Sequence, residues 1–183
     1  MALDQQELNE NQVIEEFGRQ LLVPGISEAG QNNLLKKNIL LIGLGALGTI
    51  ASQYLVRAGI GSITLLDFDR VSLSNLHRQI NYNKNDIDQY KSEISKKILL
   101  NINSVTKIVQ YPISFESFLE INDFDNIDYI FDCSDNYVTK TNSSLFAKAK
   151  SIAYSSISIN SSEGIFFSQS YLKGNNSYCF KCL

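Results

Sequence analysis

Three glycines and an aspartate have the types and spacing of a nucleotide site. Gly43, Gly45 and Gly48 form a G-x-G-x-x-G pattern directly after the apolar run Asn38–Ile42. Such glycines permit a tight turn and the close approach of a phosphate to the backbone at the start of a helix. Asp67 lies 24 positions after Gly43, where a carboxylate accepts hydrogen bonds from ribose hydroxyls. This unit predicts nucleotide binding, but it does not separate NAD from ATP.

The segment after Asp67 favours ATP. It carries Asn75 and Arg78, and Lys91 follows near the start of the next predicted helix. An enzyme that cleaves a triphosphate needs cations where negative charge builds up on the leaving group. Asp135 ends a predicted strand and offers the carboxylate that Mg²⁺ takes together with phosphate oxygens. We therefore expect ATP–Mg²⁺ binding, with an NAD-binding oxidoreductase as the alternative.

The cysteines and the histidine predict little further chemistry. The three cysteines do not form a disulfide framework, because their number is odd and two of them are close together. Cys179 and Cys182 have the spacing of half a zinc site or of a redox pair, whereas Cys133 lies on an apolar strand and is expected to be a small core residue. His77 is the single histidine, and we expect it to be a loop residue without catalytic duty.

The elements that must position these residues alternate along the chain. Short apolar runs predict strands at Asn38–Ile42, Ile63–Asp67, Ile108–Tyr111, Asp128–Cys133 and Ile152–Tyr154. Helical spacing predicts helices at residues 5–18, Ala29–Lys36, Ile50–Ala58, Asp86–Leu100 and Val138–Lys150. The alternation in Gly164–Tyr171 fits an antiparallel strand. This order predicts an α/β, Rossmann-like fold with a mostly parallel sheet and helices on both faces.

The chain length of 183 residues suits one domain. We expect a helical extension at residues 1–37, a Rossmann-like core at 38–172 and a half zinc motif at 173–183. Residues 68–83 have no apolar period and predict a long loop, which in a compact domain is usually functional or mobile.

Composition narrows the function classes. The formal net charge of −3 argues against a nucleic-acid surface, which needs a basic face. No apolar run approaches the ~20 residues of a membrane span, and the polar, acidic amino end has no targeting pattern. We therefore expect a cytoplasmic protein that binds neither nucleic acid nor membrane.

Six segments in order resemble the ThiF/MoeB/HesA family of E1-like adenylating enzymes, which serve molybdopterin and thiamin biosynthesis. The hallmark is Leu65–Asp69 followed by Val71–Gln79. The other matching segments are Gly18–Gln20, the glycine pattern, Lys91, Asp132–Asn136 and the final Cys-x-x-Cys. The resemblance spans about residue 15 to the end, and the order of the segments makes it specific.

The resemblance implies how ATP would be held. Asp67 would hold the ribose, while Asn75, Arg78 and Lys91 would contact the phosphates. The full set of expected nucleotide-binding residues is Gly43, Gly45, Ala46, Gly48, Asp67, Ser74, Asn75, Leu76, His77, Arg78, Lys91, Asp135 and Asn136.

The resemblance also implies metals and a second subunit. Asp135 would bind Mg²⁺, and Arg19 would reach the ATP of a partner subunit, which implies a homodimer. The expected catalytic residues are Arg19, Arg78, Lys91 and Asp135. Cys179 and Cys182 would be half of the family's structural zinc site, whose other half would lie in a longer chain. We expect little zinc in these 183 residues and a loosely held tail after about Lys173.

The function implied is ATP-dependent adenylation of the C-terminal glycine carboxylate of a ubiquitin-like sulfur-carrier protein that ends in Gly-Gly. The carboxylate attacks the α-phosphorus, pyrophosphate leaves, and an acyl-adenylate forms. Because the family's later strands and second cysteine pair are not in this sequence, a truncated, non-catalytic nucleotide-binding remnant is a second alternative.

Overall fold

A computed structural model describes residues 10–103, 105–121, 126–160, 162–171 and 178–182, without the side chains of Glu10, Asn11 and Cys182. The strands are β1 Asn38–Ile42, β2 Ser62–Leu66, β3 Lys107–Tyr111, β4 Tyr129–Asp132, β5 Ala153–Asn160 and β6 Glu163–Gln169. The α-helices are α1 Glu10–Leu21, α2 Ser27–Leu34, α3 Ala46–Arg57, α4 Lys91–Leu100, α5 Phe115–Glu120 and α6 Tyr137–Lys150. Short 3₁₀ turns lie at Leu73–Asn75, Lys84–Asp86 and Phe180–Cys182.

The six strands form one sheet in the order β3-β2-β1-β4-β5-β6. The first five are parallel, and β6 pairs antiparallel with β5, which confirms the predicted α/β class and the antiparallel strand. The order reverses between β1 and β4, because the chain moves outward to β3 and then returns to the other side of β1. Open parallel sheets bind ligands at such a switch point, outside the carboxyl ends of the strands.

Both faces of the sheet are covered by helices, so β1 is apolar on both sides. Leu40 and Ile42 pack in the core that also contains side chains of α5 and α6. Ile39 and Leu41 pack in the opposite core, with side chains of α3 and α4. A strand buried on both faces reads as the continuous apolar run that predicted it.

Two helix starts differ from the predicted ones. Helix α3 begins at Ala46 instead of Ile50, because Gly45 is its extended N-cap residue and Gly48 stands in its first turn. Helix α4 begins at Lys91 instead of about Asp86, because Asp88 has a positive φ of 67° and Tyr90 is an extended N-cap. Both differences bring a predicted site residue to the amino end of a helix.

Two other elements were missed or shortened in the prediction. Helix α5 has only six residues and begins after Ser114, whose Oγ accepts a hydrogen bond from the Ser117 backbone N–H at 3.1 Å. Strand β5 runs to Asn160 instead of ending at Tyr154, since its second half pairs with β6. Serines at 155, 156 and 158 interrupt the continuous apolar run there, but Ser156–Asn160 alternates polar and apolar residues, a strand pattern that the prediction did not use.

The expected loose tail is wrong for Cys179 and Phe180, which are buried. The Phe180 ring lies against Phe167, with ring centroids 5.8 Å apart, and its backbone N–H donates to Ser144 Oγ at 2.9 Å. The apolar ring thus attaches this segment to α6 and β6. Residues 172–177 lie outside the described residues.

The N-terminal helices lie at the amino ends of the strands. Gln20 of α1 and Gln31 of α2 both donate to the Ala58 carbonyl, at the last turn of α3, at 3.1 and 3.0 Å. A Cβ on Gly59, whose φ is +77°, would come within 2.7 Å of Phe17 and Gln31 atoms. The extension therefore packs where α3 ends, away from the carboxyl ends of the sheet.

Candidate functional site

The glycine turn, Gly43–Gly48, joins β1 to α3 and uses its glycines in two different ways. Gly43 has φ +86°, and a Cβ there would lie 2.9 Å from the Ser134 nitrogen. A Cβ on Gly48 would lie 1.9 Å from the Gly43 carbonyl oxygen. These two glycines are required by close backbone packing. By contrast, a Cβ on Gly45 would meet, chain neighbours aside, only Gln79 Nε2 within 4 Å, at 3.9 Å, so the space beside Gly45 is open.

Asp67 connects the end of β2 to the glycine turn. Its carboxylate accepts from the Leu44 backbone N–H at 2.6 Å and from the Asp69 backbone N–H at 2.7 Å. Burial raises the pKa of Asp67, and the nearby Lys91 ammonium and the two backbone donors oppose that rise. Each carboxylate oxygen can accept a second hydrogen bond, so Asp67 keeps the capacity to bind a ribose hydroxyl.

Lys91 is buried, which the sequence did not predict. The residue is 5% exposed, and Nζ lies 2.7 Å from Asp69 Oδ2. The Lys91 backbone N–H donates to the Asp69 carbonyl at 3.0 Å, beside an isolated bridge between Arg70 and Tyr90. This pairing holds the amino end of α4 against the segment after β2 and places a cation near Asp67.

The loop residues predicted to bind nucleotide form a short turn at the surface. The Ser72 backbone N–H donates to Asn75 Oδ1 at 3.3 Å, and exposed Arg78 donates from Nη1 to the Ser74 carbonyl at 2.9 Å. His77 is exposed, whereas Leu76 packs with the small core of Val71, Tyr82 and Ile94. The guanidinium is therefore accessible for a phosphate, and Leu76 anchors the turn.

The acidic turn, Asp132–Asn136, lies against the glycine turn through the Gly43–Ser134 contact. Asp135 and Asn136 are exposed. The Asn136 side-chain oxygen already accepts from the Val138 backbone N–H at 2.8 Å and caps α6. Asp135 thus presents an exposed carboxylate just after the carboxyl end of β4, in the turn that contacts the glycine turn.

A buried lysine that sequence reasoning missed supports this turn. Lys140 is 3% exposed and donates to Ser156 Oγ at 2.8 Å and to the Ile157 carbonyl at 3.1 Å. Its Nζ lies 3.6 Å from Oδ1 of the fully buried Asp132. The burial of Lys140 could have been expected from its spacing in the helix. It shares one helical face with Ser143, Ser144 and Ala147, which are also buried.

The structure does not bring Arg19 to the other predicted residues. Arg19 is exposed on α1, and its neighbour Gln20 contacts Ala58 at the last turn of α3. The glycine turn lies at the opposite, amino end of α3, whose 12 residues have a length of about 18 Å. Arg19 is therefore about one α3 length from the glycine turn of its own chain.

The predicted metal sites differ in their fit to the residues present. Asp135 with phosphate oxygens fits Mg²⁺, which takes one or two carboxylates in addition to its substrate ligands. Zinc needs four ligands, but within the described ranges no group of three or more His, Cys, Asp or Glu side chains is placed to hold a metal ion. Cys179 is buried, and the Cys182 side chain lies outside the described residues. The described side chains therefore include no complete set of zinc ligands.

Cys133 has no exposed thiol for chemistry. It is buried between the glycine turn and α6, and burial raises its pKa to about 12. A thiolate is therefore disfavoured at neutral pH, in agreement with the expected core role.

In the part of the chain that the structure describes, none of the helices is long and apolar enough to cross a membrane.

Comparison with known proteins gives one family and several relatives. The profile of the ThiF family matches residues 17–183. The chain is 29% identical to the sulfur carrier protein adenylyltransferase of Thermus thermophilus, over 93% of this chain and 64% of that protein. It is 35% identical to the adenylyltransferase and sulfurtransferase MOCS3 of Dictyostelium discoideum, over 93% of this chain and 39% of that protein. It is 39% identical to the sulfur carrier protein ThiS adenylyltransferase of Escherichia coli, over 68% of this chain and 49% of that protein. The chain thus spans less than two thirds of the length of each of these relatives.

Solved structures share the fold. Escherichia coli MccB matches 95% of this chain and 49% of its own chain with a TM-score of 0.78 at 20% identity. The MccB structure with ATP matches 83% of this chain and 46% of its own chain, with a TM-score of 0.73 at 23% identity. At these identities the likeness supports the arrangement of the sheet and helices alone.

Proposed function

Because this chain belongs to the ThiF family, we propose that it is the nucleotide-binding part of an enzyme that adenylates a ubiquitin-like sulfur-carrier protein with ATP. The carrier's C-terminal glycine carboxylate attacks the α-phosphorus, the bond to pyrophosphate breaks, and an acyl-adenylate remains. Two relatives are named as adenylyltransferases of a sulfur carrier protein, so the proposal names this class of carrier. Within it, the proposal extends to a carrier of either molybdopterin or thiamin biosynthesis.

One observation carries the proposal. The glycine turn has an open space beside Gly45 at the amino end of α3. The turn is contacted by the buried Asp67, which lies near Lys91, and by the acidic turn, in which Asp135 is exposed. An uncapped helix amino end attracts an anion, the nearby ammonium adds positive charge, and an exposed carboxylate supplies a metal ligand. This combination suits a metal-bound polyphosphate better than NAD, whose binding needs no metal carboxylate.

The residues then take distinct parts in the chemistry. Asp67 accepts hydrogen bonds from the ribose, while Lys91 and Arg78 donate to phosphate oxygens and stabilise the charge that develops on the leaving pyrophosphate. Asp135 would hold Mg²⁺, which when bound would neutralise phosphate charge. The residues around Gly45 orient the α-phosphate toward the incoming carboxylate, and this positioning supplies much of the rate.

We also place Arg19 at the ATP of a second copy of the chain. Its own nucleotide site is about one α3 length away, so this role supports a homodimer in which each site takes one arginine from its partner.

Calorimetry on the purified protein tests the ligand class. We expect ATP–Mg²⁺ to bind and NAD to bind weakly or not at all. Asp135→Ala should remove the Mg²⁺ dependence of ATP binding, whereas Glu28→Ala, which removes an exposed carboxylate on α2, should leave it unchanged. Tighter binding of NAD than of ATP–Mg²⁺, or an unchanged Mg²⁺ dependence in Asp135→Ala, contradicts the proposal.

A further inference from the structure

Gln79 has a buried side-chain amide whose oxygen has no partner. The residue is 4% exposed, and its Oε1 accepts no hydrogen bond from any described residue. Leaving such a group unpaired costs about 1–3 kcal/mol. An orphaned buried polar group in a native protein calls for a physical cause, and a ligand absent from the structure is one.

The polar neighbours of Gln79 in the chain are paired, which sets Gln79 apart. Asn81 Oδ1 accepts from Gln53 Nε2 at 2.7 Å. Tyr82 donates to the Leu44 carbonyl at 2.9 Å, and its hydroxyl lies 3.1 Å from Ser95 Oγ. These bonds fasten the 79–82 segment to α3, α4 and the glycine turn. The position of Gln79 is therefore well determined, although the bonds that determine it leave its own amide unused.

The amide is directed to the open part of the glycine turn. Its Nε2 is the single atom, chain neighbours aside, within 4 Å of the place where a Cβ on Gly45 would lie, at 3.9 Å. Gly45 is also the N-cap of α3, and no side chain caps that helix or places an acid in its first turn. Free backbone N–H groups and a neutral amide thus meet at one opening, where the helix dipole favours an anion.

We propose that Gln79 is a further nucleotide-binding residue, whose amide donates a hydrogen bond to a phosphate oxygen held over the amino end of α3. The inference rests on the proposed ATP binding and adds a residue to it. The donor is Nε2, which faces Gly45, and the unpaired Oε1 at the other end of the same amide remains available to accept from a hydroxyl of the ligand. The positive end of α3 selects the phosphate, and a donor bound to a charged acceptor makes a strong hydrogen bond.

Two substitutions test the role. Gln79→Met removes both amide ends and keeps an unbranched side chain of similar size. It should weaken ATP–Mg²⁺ binding about tenfold to hundredfold, the loss of one hydrogen bond to a charged group. The melting temperature without nucleotide should not fall, because no protein hydrogen bond is lost. Gln79→Glu should weaken binding at least as much, since a carboxylate repels phosphate but could still accept from a ribose hydroxyl.

Gln110→Met is the matched control. Gln110 also has a buried Oε1 without a described partner, but it lies on β3, which β2 separates from β1. Its substitution should leave the ATP dissociation constant unchanged. All variants are measured by calorimetry with ATP–Mg²⁺ and by thermal unfolding without nucleotide.

Each outcome decides one question. Unchanged ATP binding in Gln79→Met, or a loss of binding accompanied by a lower melting temperature, overturns the inference and leaves the proposed function intact. Wild-type affinity in Gln79→Glu overturns the assignment to phosphate. Failure of the wild-type protein itself to bind ATP–Mg²⁺ overturns the proposed function, and the inference with it.

Discussion

Adding one methyl group at Gly45 or at Gly48 should have opposite consequences. Gly45 has φ −75° and ψ −155°, which an alanine adopts without strain, and its Cβ would meet only one side-chain atom at 3.9 Å. The Gly48 Cβ would instead lie 1.9 Å from a backbone oxygen of the glycine turn. The same chemical change therefore enters an open space in one case and a closed contact in the other.

The magnitudes follow from these distances. In Gly48→Ala, α3 and the turn must separate by about 1.5 Å to reach an ordinary contact. Overpacking of this kind costs about 3 kcal/mol at the upper end of its range, and the better helix propensity of alanine returns about 1 kcal/mol. The net loss of about 2 kcal/mol lowers the melting temperature by about 4–8 °C in a domain of this size. Gly45→Ala should cost under about 1 kcal/mol, the difference between glycine and alanine as N-caps.

Thermal unfolding and ATP–Mg²⁺ calorimetry on both variants separate folding from binding. Gly45→Ala should melt near the wild-type temperature but bind ATP at least about tenfold more weakly, because the methyl group excludes a phosphate that must contact the backbone. Gly48→Ala should melt lower. Wild-type affinity in Gly45→Ala would show that the open space is not where the phosphate binds. A wild-type melting temperature in Gly48→Ala would contradict the close packing of α3 on β1.

Two further predictions concern the charges. In Lys91→Met, Asp67 loses the cation that opposes the rise of its pKa. A carboxyl group whose pKa is higher in the folded than in the unfolded protein stabilises the fold at pH values below its ordinary pKa of 3.8. This contribution to the free energy of unfolding is lost as the pH rises. The variant should therefore match the wild type in urea unfolding near pH 3.5 and be less stable by about 1–2 kcal/mol at pH 7; equal deficits at both pH values would contradict the coupling of Lys91 to Asp67. For Arg19, mixing Arg19→Ala with Asp135→Ala protein should restore part of the carrier-dependent ATP–pyrophosphate exchange, since a heterodimer contains one intact site. Demonstrated heterodimers without any recovery would place Arg19 outside the partner's site.

The apolar pattern predicted the fold class because the central strand β1 is buried on both faces. The run at Asn38–Ile42 fills both cores, and a short run of that kind between turn residues is typical of a strand covered on both sides. Helix α5 was missed because six residues hold too little periodicity. The extension of β5, which pairs with β6, was missed because the prediction followed the continuous apolar run. The alternation of serine and isoleucine at residues 156–159 was the available strand signal.

The candidate site was predicted as a set of residues, but not as an arrangement. Residue types indicated that Lys91 and Asp67 belong together, since their chemistry suits a nucleotide. Burial of Lys91 depends on Asp69, 22 positions earlier in the chain, and burial of Lys140 depends on the end of β4. Gln79 was visible in the sequence only as part of a motif, because an unpaired amide can be recognised only when its surroundings are known.

The charge balance of the site supports a role for groups from outside the chain. One copy contributes three carboxylates and two cations, namely Asp67, Asp69, Asp135, Lys91 and Arg78. One of those cations is already paired, since Lys91 Nζ is 2.7 Å from Asp69. A triphosphate adds several negative charges, which accumulate on the leaving group in the transition state. In the proposed arrangement, Mg²⁺ at Asp135 would offset part of this charge, and Arg19 of a second copy would offset more. Arg19 lies at the far end of α3 from its own site, so a dimer can supply this cation without moving either subunit's N-terminal helices from the positions that their glutamines fix on Ala58.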